Sequence, residues 1–212
     1  MAKISNDITE AARLLSLDRL VGIPTETVYG LAGNALKPAV IDRIYEVKGR
    51  PKTKAFIVQT DRLEKLDGLI LPPDAGMRSL MKAYWPGALT IVFQAGPKAP
   101  PNLIAQGETI GIRIPNHPIT LELLSTIEFP VAVPSANISS QPSPKSADEV
   151  NEQIGDQIDM ILDGGRCTLG FESTIVGFEN DGPVFYREGV IPKNDILNVW
   201  GHFIHQKHKM KR

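Results

Sequence analysis

Four stretches of this chain hold residue types that can bind or transform a polar ligand. The first is Pro24-Thr25-Glu26-Thr27-Val28-Tyr29-Gly30-Leu31, which follows a short apolar run. Its threonine hydroxyls donate and accept hydrogen bonds, and Gly30 permits close backbone approach to a ligand. The same threonines would serve equally well to tie up the backbone of a turn. The second is Lys48-Gly49-Arg50-Pro51-Lys52-Thr53-Lys54, with a cation at every second position. In an extended segment alternate side chains face one way, so four charges on one side call for an anion or for water between them. Polyphosphate suits that pattern, with Arg50 as a planar fork and the lysines as point charges. A solvated loop, its cations complementing the C-terminus of a preceding helix, is the competing reading.

The third stretch, Pro134-Ser135-Ala136-Asn137, ends the apolar run Val131 to Val133 and leads into the polar loop Ser139 to Pro144. At the end of a central strand, Ser135 and Asn137 can hydrogen-bond a nucleotide or sugar. As helix caps they would instead satisfy backbone amides, worth about 1 kcal/mol. The fourth set is dispersed. Arg113 closes TIGIR, Glu172-Ser173-Thr174 opens a second apolar run, and Arg187 closes PVFYR. An arginine ending an apolar run requires a carboxylate, solvent or an anionic ligand. Spacing alone leaves open whether both arginines face one site.

Several chemistries have no support. Neither G-x-x-x-x-G-K-[ST] nor G-x-G-x-x-G occurs, so a nucleotide site would have to be assembled from separate loops. Of the 4 histidines only His117 lies in the body of the chain, and it stands in no nucleophile motif. The single cysteine, Cys167, excludes an internal disulfide and a Cys-rich zinc site. It follows the tight-turn signature Asp163-Gly164-Gly165-Arg166 and reads as an incidental thiol.

The elements that must position these residues alternate. Helices are expected over residues 7–17, 37–48, 73–84, 118–127, 146–155 and 192–199. Strands are expected over 19–23, 55–59, 89–94, 109–114, 130–134 and 158–162, with 173–178 and 183–187 as an antiparallel pair. The class is therefore α/β with a mixed sheet. The 212 residues suffice for a sizeable core, no linker splits them, and the basic end 205–212 is expected to fray. A net charge of -1 argues against a general nucleic-acid field. No apolar run reaches a membrane span and no secretory signal is read, so the expected setting is cytoplasmic and reducing, away from membranes.

Taken in order, the segments resemble the YrdC/TsaC family of threonylcarbamoyl-AMP synthases. The resemblance rests on PTETVYGLAGNA, Lys48-x-Arg50, WPGALTIVF, GIRIPNHP, PSAN, FESTIV and Arg187-Glu188-Gly189, spanning about Val21 to Arg187. It implies a twisted sheet with flanking helices around a positively charged concave cavity. It also implies a reaction in which L-threonine, bicarbonate and ATP give L-threonylcarbamoyladenylate and pyrophosphate, with Mg2+ carried by the phosphates. The product would supply the machinery that places threonylcarbamoyl on tRNA.

By position, the resemblance assigns Thr27, Arg113 and Ser173 to threonine, and Lys48 and Arg50 to the reacting phosphates or carbamate. It assigns Lys54, Thr109, Ser135, Asn137, Ser143 and Arg187, with Arg50, to the nucleotide, Asn137 alternatively ordering its own loop. No resident metal ligands are expected. This chain departs from many relatives at Lys54-Ala55-Phe56 and at Gln59. Competing readings are a tRNA or double-stranded RNA binder on the same fold, a sister subgroup that tends to lack K-x-R and S-x-N, and a sugar-phosphate lyase.

Overall fold

Val21 and Ile23 point to one side of a sheet while the Cβ direction of Gly22, between them, meets Ile161 and Val150 on the other. That alternation, the two-residue period of a strand, recurs in Met160-Ile161-Leu162 and divides the buried apolar residues between the two faces. The computed structural model describes residues 1–179 and 182–209, with side chains to His205. Its strands are β1 (Lys3–Ser5), β2 (Val21–Ile23), β3 (Gly30–Asn34), β4 (Ile57–Gln59), β5 (Leu89–Gln94), β6 (Thr109–Arg113), β7 (Val131–Ala132), β8 (Met160–Leu162), β9 (Thr174–Glu179) and β10 (Gly182–Arg187). They form one ten-stranded sheet in the order β1-β8-β2-β3-β7-β4-β6-β5-β9-β10. Parallel pairs (β1 with β8, β2 with β8, β4 with β6, β5 with β9) stand beside antiparallel ones (β2 with β3, β3 with β7, β4 with β7, β5 with β6, β9 with β10), a mixed sheet as expected.

Helices cover both faces. α1 (Ile8–Ser16) and α4 (Pro118–Thr126) bury Ala11, Leu15, Leu123 and Leu124 against Val21, Ile23, Val131 and Leu162. On the other face α2 (Pro38–Lys48) buries Val40, Ile41, Ile44 and Tyr45, the stripe expected from its sequence. Each such side chain contributes about 1.5–3 kcal/mol by leaving water. α3 (Ala75–Tyr84) and α5 (Ala147–Ile154) start where Asp74 and Ser146 accept amides of the first turn. The last helix, α6 (Lys193–Lys209), packs on α3, with the Trp200 ring against Gly76.

Two strands were not anticipated: β1 and β3. β3 reads Gly-Leu-Ala-Gly-Asn, a poor strand by propensity, yet it is wholly buried between β2 and β7. The end expected to fray from residue 205 is helical to Lys209, because no breaker follows Gly201; Met210 to Arg212 lie outside the described residues. Among the described residues no helix is long and apolar enough to cross a membrane.

Candidate functional site

Where β2 turns into β3, Thr25 organises the connecting loop. Its Oγ1 accepts from the amides of Thr27 and Val28, both at 3.2 Å, and donates to Val28 O at 2.6 Å. The loop is then clamped from outside: Tyr29 N donates to Pro144 O and Ala136 N to Tyr29 O, each at 2.9 Å. Thr27 is thereby fixed beside Arg113, at the C-terminal end of β6. Arg113 Nη1 donates to Thr27 Oγ1 at 2.8 Å and Nε to Gly87 O at 2.9 Å. Its Nη2 lies 2.7 Å from Glu26 Oε2, a charge contact rather than an aligned hydrogen bond, and Glu26 Oε1 is buried with no hydrogen-bond partner. Both partners are nearly out of water, Arg113 at 4% and Glu26 at 7% exposure. Burial pulls the Arg113 guanidinium below its ordinary pKa and the Glu26 charge opposes that.

Two more guanidinium groups enter the same hollow. α2 ends at Lys48, and Gly49, in the left-handed region at φ 56°, turns the chain so that Arg50 comes back over it. Arg50 Nε donates to Lys54 O and Nη2 to Ala55 O, both at 3.0 Å, with its guanidinium 5.3 Å from the Phe56 ring centroid. Among the described residues no carboxylate forms an ion pair with Arg50. Arg187, ending β10, donates from Nε to Ser173 O at 3.0 Å and from Nη2 to Ser173 Oγ at 3.2 Å, and pairs through Nη1 with Glu172. Ser173 Oγ also meets Thr90 Oγ1 at 2.8 Å. Arg50, Arg113 and Arg187, with Thr27, Ser135 and Ser173, line one hollow of about 100 Å3. Such a set can hold a phosphate and a carboxylate together and neutralise charge that develops between them.

Five assignments do not reach this hollow. Thr109 begins β6 at the opposite end from Arg113 and lines a different depression beside Gln94 and Tyr186. At roughly 3.3 Å per residue the two ends of that strand stand about 13 Å apart. Lys54 is exposed; its carbonyl is what serves, accepting from Arg50 and from the Tyr45 hydroxyl. Ser143 stands one residue back and donates to Glu172 Oε1 at 3.0 Å. Asn137 orders its own loop, donating from Nδ2 to Ile138 O at 3.0 Å and Gln141 O at 2.6 Å.

Lys48 is 1% exposed and directed at that loop, its Nζ donating to Ser135 O at 2.5 Å, Asn137 O at 2.6 Å and Asn137 Oδ1 at 3.2 Å. The three acceptors match the three hydrogens of an ammonium, while burial and the nearby Arg50 pull its pKa to about 7. The four alternating cations therefore do not share a face. The turn at Gly49 breaks the extended pattern, Lys48 goes inward, and Lys52 pairs with Asp42 at 2.8 Å outside. Conversely Glu26 and Glu172, which carry two of the arginines, were given no role by sequence reasoning, although each lies inside a quoted motif.

A family model named Sua5/YciO/YrdC and described as "Telomere recombination" matches residues 13–189. The chain is 42% identical to the threonylcarbamoyl-AMP synthase of Bacillus subtilis (strain 168) over 92% of its own length and 56% of that protein. It is 40% identical to the threonylcarbamoyl-AMP synthase of Pyrococcus abyssi over 90% of its length and 56% of the relative. It thus spans about half the length of these curated relatives. Among solved structures, P. abyssi Sua5 complexed with L-threonine superposes with a TM-score of 0.88 at 37% identity, over 94% of this chain and 60% of that one. E. coli YciO shares the fold at 23% identity, with a TM-score of 0.78 over 90% of this chain and 97% of that one. The chain belongs to the Sua5/YciO/YrdC family.

Proposed function

We propose that this chain is an L-threonylcarbamoyladenylate synthase. The observation that carries the reading is the convergence of Arg50, Arg113 and Arg187 on one hollow lined by Thr27, Ser135 and Ser173. Relatives that bear this activity as their name, and one bound to L-threonine, support it.

The donor inventory fits two anionic ligands. Arg113 spends Nε on Gly87 O and one Nη1 hydrogen on Thr27 Oγ1, and its Nη2 is buried against Glu26, so the second Nη1 hydrogen is what it offers the threonine carboxylate. Arg50 supplies charge to the phosphates, and Arg187, paired with Glu172, supplies directed N–H groups. Bicarbonate takes up a proton and loses water to give carbon dioxide. The threonine amine, once deprotonated, forms a C–N bond to it, giving a carbamate. A carbamate oxygen then attacks the α-phosphorus of ATP as the bond to pyrophosphate breaks. No protein nucleophile is required; the chain contributes positioning and charge neutralisation. Among the described residues no group of three or more His, Cys, Asp or Glu is placed to hold a metal, and the carboxylates of Glu26 and Glu172 are both engaged by arginines. In this reading magnesium is part of the substrate and arrives on the ATP phosphates. The product is a mixed anhydride, to be consumed by a transferase acting on tRNA in the cytoplasm.

The test is pyrophosphate release from MgATP by the full chain. Release should require both threonine and bicarbonate, and equal release without threonine overturns the reading. Arg50→Ala should abolish turnover with little change in Tm, since its side-chain bonds go only to loop carbonyls.

A further inference from the structure

The two carboxylates that meet arginines in the hollow are held differently. Glu26 is almost wholly buried, and leaving Arg113 would strand a charge away from water. The Glu172 side chain is 38% exposed. It stands at the rim, where the hollow meets a groove lined by Phe171, Glu188 and Val190. Rotation about its side-chain bonds carries the carboxylate into water, and an ion pair that open to solvent is cheap to break.

Glu172 engages two donors at once. Its Oε1 accepts from Ser143 Oγ at 3.0 Å, and its Oε2 pairs with Arg187 Nη1. Its field reaches Arg50 as well: burial lowers the Arg50 pKa, and Glu172 is among the groups that oppose this. Arg187 does not need Glu172 to stay in place. Bonds from Nε to Ser173 O and from Nη2 to Ser173 Oγ already fix the plane of its guanidinium. The Glu172 backbone is pinned independently, its carbonyl accepting from Val190 N at 3.1 Å. A carboxylate that swings out therefore frees an oriented N–H of Arg187 and the Ser143 hydroxyl together, with no backbone movement.

We propose that Glu172 is an internal anion that stands in for a phosphate: it holds Arg187 and Ser143 until the polyphosphate of the substrate displaces it, and takes them back when product leaves. The inference rests on the ATP reading of the hollow and adds to it a residue that selects among anions. A ligand carboxylate gains nothing by replacing another carboxylate at Arg187, whereas a polyphosphate brings more charge and more acceptor oxygens. The two anionic substrates are thereby sorted, threonine to Arg113 and phosphates to Arg187.

Titration calorimetry of inorganic tripolyphosphate and of MgATP into the full chain, Glu172→Gln and Glu188→Gln tests this. Glu172→Gln keeps the shape of the side chain and removes the charge that must be displaced. It should bind tripolyphosphate about fivefold more tightly, the upper end of what an exposed ion pair is worth. Glu188→Gln removes an exposed charge from the same groove and should change the affinity by less than about twofold. Weaker binding by Glu172→Gln would mean that the carboxylate positions Arg187, and overturns the proposal. Unchanged affinity overturns it too, as does equal tightening in both variants, which a general field would give; in each case the ATP reading stands. If none of the three chains binds either ligand, the ATP reading falls and the proposal with it.

Discussion

Glu26→Gln removes one charge from a pair that sits almost wholly out of water. Arg113 keeps Gly87 O and Thr27 Oγ1 but loses the anion 2.7 Å from Nη2. With charge centres about 4 Å apart and an effective dielectric of about 20, the attraction is about 4 kcal/mol. Removing one member of a buried pair costs about 3–5 kcal/mol by experience with other proteins, because the remaining charge is stranded. For a domain of this length about 1 kcal/mol shifts Tm by about 2–4 °C, so Tm should fall by roughly 6–20 °C. The companion variant Glu26→Gln with Arg113→Met removes both charges and their desolvation cost. It should regain a large part of the lost stability yet stay inactive, since nothing is left to hold the threonine carboxylate. Urea unfolding of the two single variants, the double variant and the unmodified chain closes a double-mutant cycle. A loss below about 1 kcal/mol for Glu26→Gln, with no coupling to Arg113, would refute the reasoning, for it would mean that water screens the pair after all.

Two further outcomes are expected. The folded chain releases the Lys48 proton near pH 7, whereas the unfolded chain keeps it to about 10.5, so this group makes stability rise with pH between those values and withdraws that gain as pH falls through 7. Lys48→Met should erase that part of the slope, read as the difference between unfolding free energies at pH 7 and pH 10; an unchanged slope sinks the assignment. Gly30→Ala places a methyl 2.2 Å from Val133 Cγ1 at the rim of the hollow, an overpacking that costs about 1–3 kcal/mol. Val133→Ala added to it should restore part of the loss, and a Gly30→Ala chain as stable as the original contradicts the contact.

How much of this was legible in the sequence depended on whether a signal was local. α2 and the β9–β10 hairpin carry long periodic patterns, and both stand close to where those patterns put them. β3 carries none. Its two glycines are there because neighbours press on the strand: a Cβ at Gly33 would lie 2.6 Å from Val40 and 2.8 Å from Leu20. Propensity cannot report a constraint imposed by residues remote in sequence or on the opposite face. The site divides in the same way. That Ser135 follows closely on a central strand was readable, because β7 is buried and lies in mid-sheet. That Lys48 turns inward while Arg50 faces the hollow was not, because one left-handed glycine between them reverses the alternation on which the reading relied.

The roles of Glu26 and Glu172 lay furthest from view, since a carboxylate inside a motif acquires its meaning only from the arginine it meets. Glu26 meets one on β6, and Glu172 meets one at the end of β10. These pairings explain how three guanidinium groups share a small hollow. Two bring compensating charge within their own pairs, and Arg50, the third, is held by carbonyl oxygens alone. The charge left for a ligand is therefore concentrated at Arg50, and the other two arginines act mainly through directed N–H groups. On that division of labour, Arg50→Lys keeps the charge but loses the planar fork that the carbonyls of Lys54 and Ala55 orient. It should bind tripolyphosphate more weakly than the unmodified chain and more tightly than Arg50→Ala. Equal affinity for Arg50→Lys and Arg50→Ala would show instead that geometry, not charge, sets phosphate binding at this position.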